Sequence, residues 1–231
     1  MARSFLLSII LRPCQTFLTQ SVQSQGFTPK ITEKTILQLS PSASPQDMED
    51  DWISNFFDKC RLISDDQMQL LWAKLLAGEA NSPGTYSKRT VNLLGTLDKI
   101  DAQLFTGLCS FIWCLPNIHL LVYDQNESVY NSKGINFASL TRLDEMGLIR
   151  LDFVGYKLKY LPQQFTASYY GKTVDLQFPN IKDNELKTGK VLLSSSGGEL
   201  ARICGAKPID EFYEYVLERW QKAGLINPKN K

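Results

Sequence analysis

Apolar residues recur at spacings of three and four between Trp52 and Pro116, and this period constrains the fold more than any other feature of the sequence. Such spacing places the apolar side chains on one face of each helix, so several packed helices are predicted here. After Pro116, short apolar runs such as "IHLLVY" and "GKVLLS" are typical of strands. The chain is therefore predicted to be an α+β protein, with a helical module over 45–115 and a winged-helix-like α+β module over 116–226, after an N-terminal segment and linker over 1–44.

Short polar residues mark the predicted helix starts. Ser87 is predicted to cap one helix with its hydroxyl oxygen. Asp98 is predicted to cap another helix, with Asp101 at its third position. Capping boxes, in which two side chains satisfy backbone amides reciprocally, are predicted at two places: Ser64 with Gln67, and Ser196 with Glu199.

One pattern in the second module resembles the wing of a winged-helix domain. The stretch "SLTRLDEMGLI" predicts a helix ended by Gly147, and the residues that follow predict a hairpin about Gly155 over 148–161. The predicted hairpin carries three basic residues, Arg150, Lys157 and Lys159. Basic side chains on a wing favour DNA binding, whereas acidic residues on the preceding helix oppose it.

The composition argues against several classes of site. Lys and Arg total 25 and Asp and Glu total 24, so the net charge of +1 gives no global field that would attract nucleic acid. His119 is the only histidine and lies in an apolar run, which argues against a Ser-His or Cys-His catalytic centre and leaves few ways to bind zinc. The stretch "SSSGGE" lacks the lysine of a phosphate-binding loop. No catalytic, cofactor-binding or metal-binding residue is predicted, and no cofactor.

The N-terminal apolar run from Phe5 to Leu11 is too short to span a bilayer, and Arg12 and Pro13 interrupt it. No clear small-residue cleavage site follows, so a helix or a ragged start is favoured over a targeting signal. The 5 cysteines include no CxxC pair, and most lie among apolar residues, which is typical of a reducing compartment. We therefore expect a cytoplasmic protein without a membrane span.

The stretch from Gly78 to Thr90 predicts a compact turn between two helices. Gly78 suits a helix end, Pro83 and Gly84 form a turn signal, and Ser87 begins the next helix. These residues together predict a short, ordered connection.

Glu79 and Arg89 lie on either side of this turn. A bidentate pair between the carboxylate and the guanidinium would form a structural clasp between the helices. Glu79 could instead bind the exposed amides at a helix start. A general base or metal ligand would need a second carboxylate, a histidine or a nucleophile at a telling spacing, and none is found. The structural clasp is the interpretation that we favour.

Three residues in the segment "ASYYGK" form a second candidate site. Tyr169, Tyr170 and Lys172 would make a contact surface if they are exposed, because tyrosines and nearby cations are frequent in contact hot spots. Aromatic residues on the face of a sheet are the alternative.

The run "DDWISNFFDKCRLISDDQMQLLWAKLLAGEANSPGTYSKRTVNLLGTLDKIDAQLF" combines a Trp-Phe helix, "LWAKLLAGE", a Pro-Gly turn and a Ser-x-Arg-Thr helix start. This pattern resembles the signature of an uncharacterised bacterial family with a domain of unknown function. The matching residues are Trp52, Phe56, Ser64, Trp72, Leu75, Leu76, Gly78, Glu79, Pro83, Gly84, Ser87, Arg89 and Thr90. The order of parts is also loosely similar to the abortive infection alpha family of bacterial anti-phage proteins. The resemblance implies a bacterial cytoplasmic protein and no established activity.

These observations favour a non-enzymatic interaction or sensing protein, in phage defence, with an unidentified protein partner. A metal-dependent hydrolase or nuclease that uses scattered carboxylates is the first alternative, and a winged-helix DNA-binding regulator is the second. A cleft that joins Glu79 to two further acids would favour the hydrolase. Basic side chains gathered on one face around 148–161 would favour nucleic acid as the partner.

Overall fold

The computed structural model describes residues 28–226, so the expectations for the N-terminal apolar run lie outside the described residues. The chain divides into two compact units, the first ending at Ala102 and the second beginning at Gln103. The boundary falls inside one helix, Lys99–Cys109.

The first unit is built from helices. They are α1 (Thr28–Ile36), a short 3-10 helix (Pro45–Asp47), α2 (Asp50–Cys60), α3 (Asp66–Asn81), α4 (Lys88–Thr96) and the beginning of α5 (Lys99–Cys109). The predicted helical N-terminal part is thus confirmed. Composition did not predict α1, which lies in the polar N-terminal segment. Ile31 and Thr35 of α1 are nevertheless fully buried, and the Thr35 hydroxyl donates to the carbonyl of Ala73 on α3 at 3.3 Å.

Aromatic side chains lie in the core of the first unit. On α2, Trp52 stacks on Phe56 with ring centroids 5.3 Å apart, and Phe56 meets Trp72 of α3 edge to face at 5.2 Å. All three side chains are buried. α1 packs against α3, and α4 packs against α2. The three-and-four spacing in the sequence therefore places one face of α2 against one face of α3.

The second unit mixes strands and helices. It contains the rest of α5, then β1 (Ile112–Cys114), β2 (Ile118–Leu120), α6 (Ser128–Asn131), α7 (Phe137–Glu145), β3 (Ile149–Leu161), β4 (Gln164–Tyr169), β5 (Lys172–Gln177), β6 (Asn184–Leu193), α8 (Ser195–Ala201) and α9 (Asp210–Lys222). All of the strand pairs between these elements are antiparallel. The predicted α+β class is therefore confirmed.

The strands of the second unit form two separate sheets. One has the order β2-β1-β4-β5, and the other is a ribbon of β3 and β6. Tyr170 and Gly171 join β4 to β5, and both have positive φ angles, 47° and 89°, as a type I′ hairpin turn requires. His119 lies on β2 opposite Trp113, so its predicted strand position is confirmed.

A cluster of aromatic rings fills the core of the second unit. Trp113 stacks on Tyr169 at 5.1 Å and on Tyr213 at 5.7 Å, and it meets Trp220 at 4.7 Å. Tyr213 and Trp220 belong to α9, so these contacts hold α9 against the four-stranded sheet.

Two of the predicted caps form. The Ser87 hydroxyl accepts a hydrogen bond from the amide of Thr90 at the start of α4. At α5, Asp98 Oδ1 accepts from the amide of Asp101 at 3.0 Å, and Asp101 Oδ2 accepts from the amide of Asp98 at 3.4 Å. The predicted cap at Asp98 is thus confirmed.

The two predicted capping boxes are wrong. Asp65 rather than Ser64 caps α3, because its carboxylate accepts from two amides of the first turn. Ser194 rather than Ser196 caps α8, where its hydroxyl accepts from the amide of Gly197 at 2.9 Å. In both places a nearby residue of equal capping ability occupies the N-cap position, where the backbone enters the helix.

The predicted hairpin over 148–161 is also wrong, because residues 149–161 form the single strand β3, which pairs with β6. Gly155 has φ +89°, but it marks an irregularity in the pairing rather than a turn. A Cβ atom on Gly155 would lie 3.1 Å from the carbonyl oxygen of Gly189, so β6 passes directly beside it. The helix end at Gly147, with φ +80°, does form as predicted. The winged-helix likeness stays a prediction.

Candidate functional site

Glu79 is the acidic residue of the family-like signature, and it is buried on α3 with 3% of its surface exposed. Its Oε1 accepts a hydrogen bond from the amide of Gly84 at 2.6 Å, and its Oε2 accepts from the amide of Tyr86 at 2.8 Å. Both carboxylate oxygens therefore bind the loop that connects α3 to α4. Charge-assisted bonds of this kind are stronger than bonds between neutral groups.

The loop between α3 and α4 has a local reason for its shape. Gly84 has φ +85°, which a residue with a side chain rarely adopts. Tyr86 is buried and packs on Gly78, where an added Cβ atom would lie 2.5 Å from the tyrosine ring. The carbonyl of Tyr86 accepts a hydrogen bond from Trp52 Nε1 at 2.7 Å. Gly78 therefore allows the ring of Tyr86 to pack closely on α3. It does not end the helix as predicted, because α3 continues to Asn81.

Arg89 does not take part in this arrangement. Its side chain is exposed, and among the residues that the structure describes no ion pair joins it to Glu79. The predicted Glu79–Arg89 pair is wrong, because the carboxylate binds nearer backbone amides that would otherwise be left unpaired. Pro83 lies in the same loop, and Thr90 is buried beside its cap, Ser87.

The chemistry open to Glu79 is narrow. Both of its oxygens accept hydrogen bonds, and it is enclosed by its own loop. Within residues 28–226, no group of three or more His, Cys, Asp or Glu side chains is arranged to hold a metal ion. Glu79 therefore acts as a structural brace that fixes the loop between α3 and α4 to α3.

The segment around Tyr169 divides into a buried and an exposed part. Tyr169 is fully buried; its hydroxyl donates to the carbonyl of Ser110 at 2.7 Å and accepts from the amide of Ile209 at 2.8 Å. Burial raises the pKa of Tyr169 to about 12. Tyr169 is therefore a core residue, and its proposed place on a contact surface is wrong, because alternation along β4 turns it inward.

Tyr170, in the hairpin turn, and Lys172, at the start of β5, remain accessible. The Tyr170 hydroxyl donates to the carbonyl of Cys109 at 3.1 Å. Lys172 Nζ lies 2.7 Å from Asp210 Oδ1 and 4.6 Å from the centre of the Tyr213 ring. Contact of these two residues with a partner stays a prediction.

The exposed side chains of Phe137 on α7 and Phe153 on β3 are in contact, and Val154, the next residue along β3, is exposed as well; we call these three residues the apolar patch. Their exposed fractions are 51%, 65% and 96%. The rings of Phe137 and Phe153 lie 6.0 Å apart. Asp152 Oδ1 accepts from the amide of Val154 at 2.8 Å and fixes the backbone just before Gly155.

The β3–β6 ribbon carries a second surface, the basic face, formed by Lys157, Lys159 and Lys187. Lys157 lies opposite Lys187 in the register, and Lys159 follows two residues later on β3. Side chains two residues apart project from the same face of a strand. All three lysines are exposed.

Comparison with known proteins identifies the family but no activity. Residues 12–217 match the family described as "Protein of unknown function (DUF2806)". The chain belongs to this family. No curated protein and no solved structure matches the chain.

The DUF2806 match includes the Glu79 loop, the apolar patch and the basic face. The predicted membership of an uncharacterised family of unknown function is thus confirmed. None of the helices described between Thr28 and Ile226 is long and apolar enough to cross a membrane.

The sequence contained a signal for the apolar patch that our reasoning missed. Phe153 and Val154 are consecutive apolar residues in a segment predicted to be extended. Because consecutive side chains of a strand project from opposite faces, at least one of them had to lie outside the core. For the basic face the sequence indicated Lys157 and Lys159 but not Lys187, since the pairing of Lys157 with Lys187 depends on the register between distant strands.

Proposed function

We propose that this DUF2806 protein is a non-enzymatic bacterial interaction protein whose apolar patch binds an apolar segment of a partner protein. The observation that carries the proposal is the contact between the exposed rings of Phe137 and Phe153, next to the almost fully exposed Val154. Single exposed apolar residues are common, but adjacent ones that include two aromatic rings are typical of interaction sites. Aromatic residues are also enriched in the centres of interfaces.

The patch is held by local structure, which favours a preformed site. Asn136 caps α7 by accepting from the amide of Ser139 at 3.1 Å, and this fixes the position of Phe137 at the first turn. The bond from Asp152 to the amide of Val154 fixes the other side. A preformed surface loses less conformational entropy on binding.

The resemblance to abortive infection alpha proteins supports phage defence as the biological setting. The rival interpretation, a metal-dependent hydrolase or nuclease, needs a free carboxylate near other acids. Glu79 offers little for this, since its two oxygens are bound to the loop. Sustained turnover of a nucleic acid or ester with Mg²⁺ or Mn²⁺ would overturn the non-enzymatic proposal.

The test uses photo-crosslinking in the native bacterium. Benzoylphenylalanine is placed at Phe153, and at Ile181 as a control, because Ile181 is at least as accessible, with 81% of its surface exposed. We expect one discrete protein adduct from position 153 and not from position 181. The purified adduct partner should then bind the Phe153→Ser/Val154→Ser variant at least about tenfold more weakly than the wild type, and the Ile181→Ser variant unchanged.

Phage plating tests the biological setting. Cells that carry the wild type or Ile181→Ser should plate phage less efficiently than a deletion strain, and cells with Phe153→Ser/Val154→Ser should match the deletion strain. Equal binding and equal plating by all three forms would refute the role of the patch.

A further inference from the structure

The basic face holds like charges together at a cost. Lys157 and Lys187 are direct cross-strand neighbours, and like charges in that position are destabilising. The whole chain has a net charge of only +1, so the three lysines are a local concentration rather than part of a basic protein. An arrangement of this kind is favourable when an anion lies over it.

One carboxylate, that of Glu185, lies within the basic face, but it does not neutralise all three lysines. Glu185 Oε2 lies 2.6 Å from Lys157 Nζ, and this hydrogen bond, together with the charge of Lys159, lowers the pKa of Glu185. Lys159 lies beyond ion-pair distance of Glu185, and Lys187 forms no ion pair with any carboxylate in the described part of the chain. Two positive charges of the basic face are therefore available to a ligand.

An exposed aromatic ring follows the basic face along β3. Tyr160 directly follows Lys159, has 81% of its surface exposed, and makes no ring contact within residues 28–226. Its φ of 59° departs from the strand conformation. A non-glycine residue with positive φ is uncommon and costs free energy. An exposed ring beside lysines is the combination that binds a base next to its phosphate.

We infer that the basic face and Tyr160 bind a nucleic-acid strand, with phosphates on the lysines and a base on the tyrosine ring. Consecutive side chains on one face of a strand are about 6.6–7 Å apart, and lysine side chains are long enough to reach successive phosphates from such positions. A single inorganic phosphate would use only part of this surface. An acidic protein segment would satisfy the lysines but has no need of the exposed ring. The inference is independent of the apolar patch, because it concerns different side chains.

The test measures fluorescence polarisation with a labelled 20-nucleotide single-stranded DNA, its duplex, and the RNA of the same sequence. We expect the wild type to bind at 50 mM salt, and the Lys157→Gln/Lys159→Gln/Lys187→Gln variant to bind at least about tenfold more weakly. The slope of log K against log salt should fall in magnitude by about 2, because each lost phosphate contact removes about 0.7–0.9 from the slope. Tyr160→Ser should weaken single-strand binding and leave duplex binding within about twofold.

The matched control is Lys133→Gln/Lys207→Gln/Lys222→Gln, which removes three charges from exposed lysines elsewhere in the second unit. We expect it to bind within about twofold of the wild type. Equal losses in both triple variants would mean that net charge alone governs binding, and this would overturn the inference. So would the absence of wild-type binding at 50 mM salt, or full competition by polyglutamate, which would assign the face to an acidic protein. Retention of nucleic-acid binding by Phe153→Ser/Val154→Ser would separate this inference from the proposed function.

Discussion

Replacing Glu79 by alanine should destabilise the helical unit without removing a chemical step. The amide of Tyr86 is buried, so the loss of its charged acceptor should cost about 1.5–3 kcal/mol. Gly84 is exposed, so water can replace the lost acceptor there, and the cost should be about 0.5–1 kcal/mol. Together the two bonds give about 2–4 kcal/mol, which corresponds to a fall in melting temperature of roughly 5–15 °C.

Circular dichroism melting and urea unfolding would measure this loss, and hydrogen exchange of the peptide that contains Tyr86 would locate it. Glu79→Gln should be intermediate, because the amide side chain keeps one acceptor oxygen and presents a donor to the other loop amide. Arg89→Ala is the matched control, and it should change the free energy of unfolding by less than about 0.5 kcal/mol because Arg89 is exposed.

Two results would refute the reasoning about Glu79. One is a melting temperature of Glu79→Ala within about 2 °C of the wild type, since this would mean that the two hydrogen bonds of Glu79 contribute little to stability. The other is equal destabilisation by Arg89→Ala, which would indicate that the two residues pair in solution. An unchanged melting temperature together with lost phage defence would point to a functional carboxylate.

Two further predictions concern packing and thiol access. Gly197→Ala should destabilise the protein by more than about 2 kcal/mol in urea unfolding, because the added Cβ would lie 1.9 Å from the carbonyl oxygen of Leu148. Gly198→Ala is the control, and it should be neutral or slightly stabilising because its added Cβ meets open space. Equal effects of the two substitutions would contradict the packing. In native protein at pH 8, iodoacetamide should label the exposed Cys114 well before Cys109, because burial raises the pKa of the Cys109 thiol and lowers its thiolate fraction. Peptide mass spectrometry measures the two labelling rates, and equal rates would disprove this prediction.

Local signals in the sequence predicted local structure well. The caps at Ser87 and Asp98 and the helix end at Gly147 formed as expected, because each depends on residues within a few positions along the chain. Asp65 replaced Ser64 as a cap for a related reason: two adjacent residues could both cap α3, and sequence spacing alone does not decide between them.

Features that depend on distant partners could not be predicted in this way. A glycine with positive φ serves a turn or a bulge equally well, and only the position of β6 makes Gly155 part of a strand. In the sequence Arg89 is a candidate partner for Glu79, but in the fold the carboxylate binds the backbone amides of Gly84 and Tyr86 instead. Tyr169 is different, since the alternation of Ala167 and Tyr169 with polar Ser168 could have indicated that it faces the core.

The separation of β3 from β6 along the chain has a consequence for synthesis on the ribosome. β4 and β5 lie between them, so β3 emerges long before its partner exists, while the β4–β5 hairpin can close locally as soon as both of its strands have emerged. During that interval β3 is an unpaired strand with two consecutive apolar residues, Phe153 and Val154, and such a strand can pair with another nascent chain. Lys157 and Lys159 place charge on the same strand, which discourages pairing with a second copy until β6 arrives. The yield of folded protein should therefore depend on the time that elongation takes between residues 161 and 193.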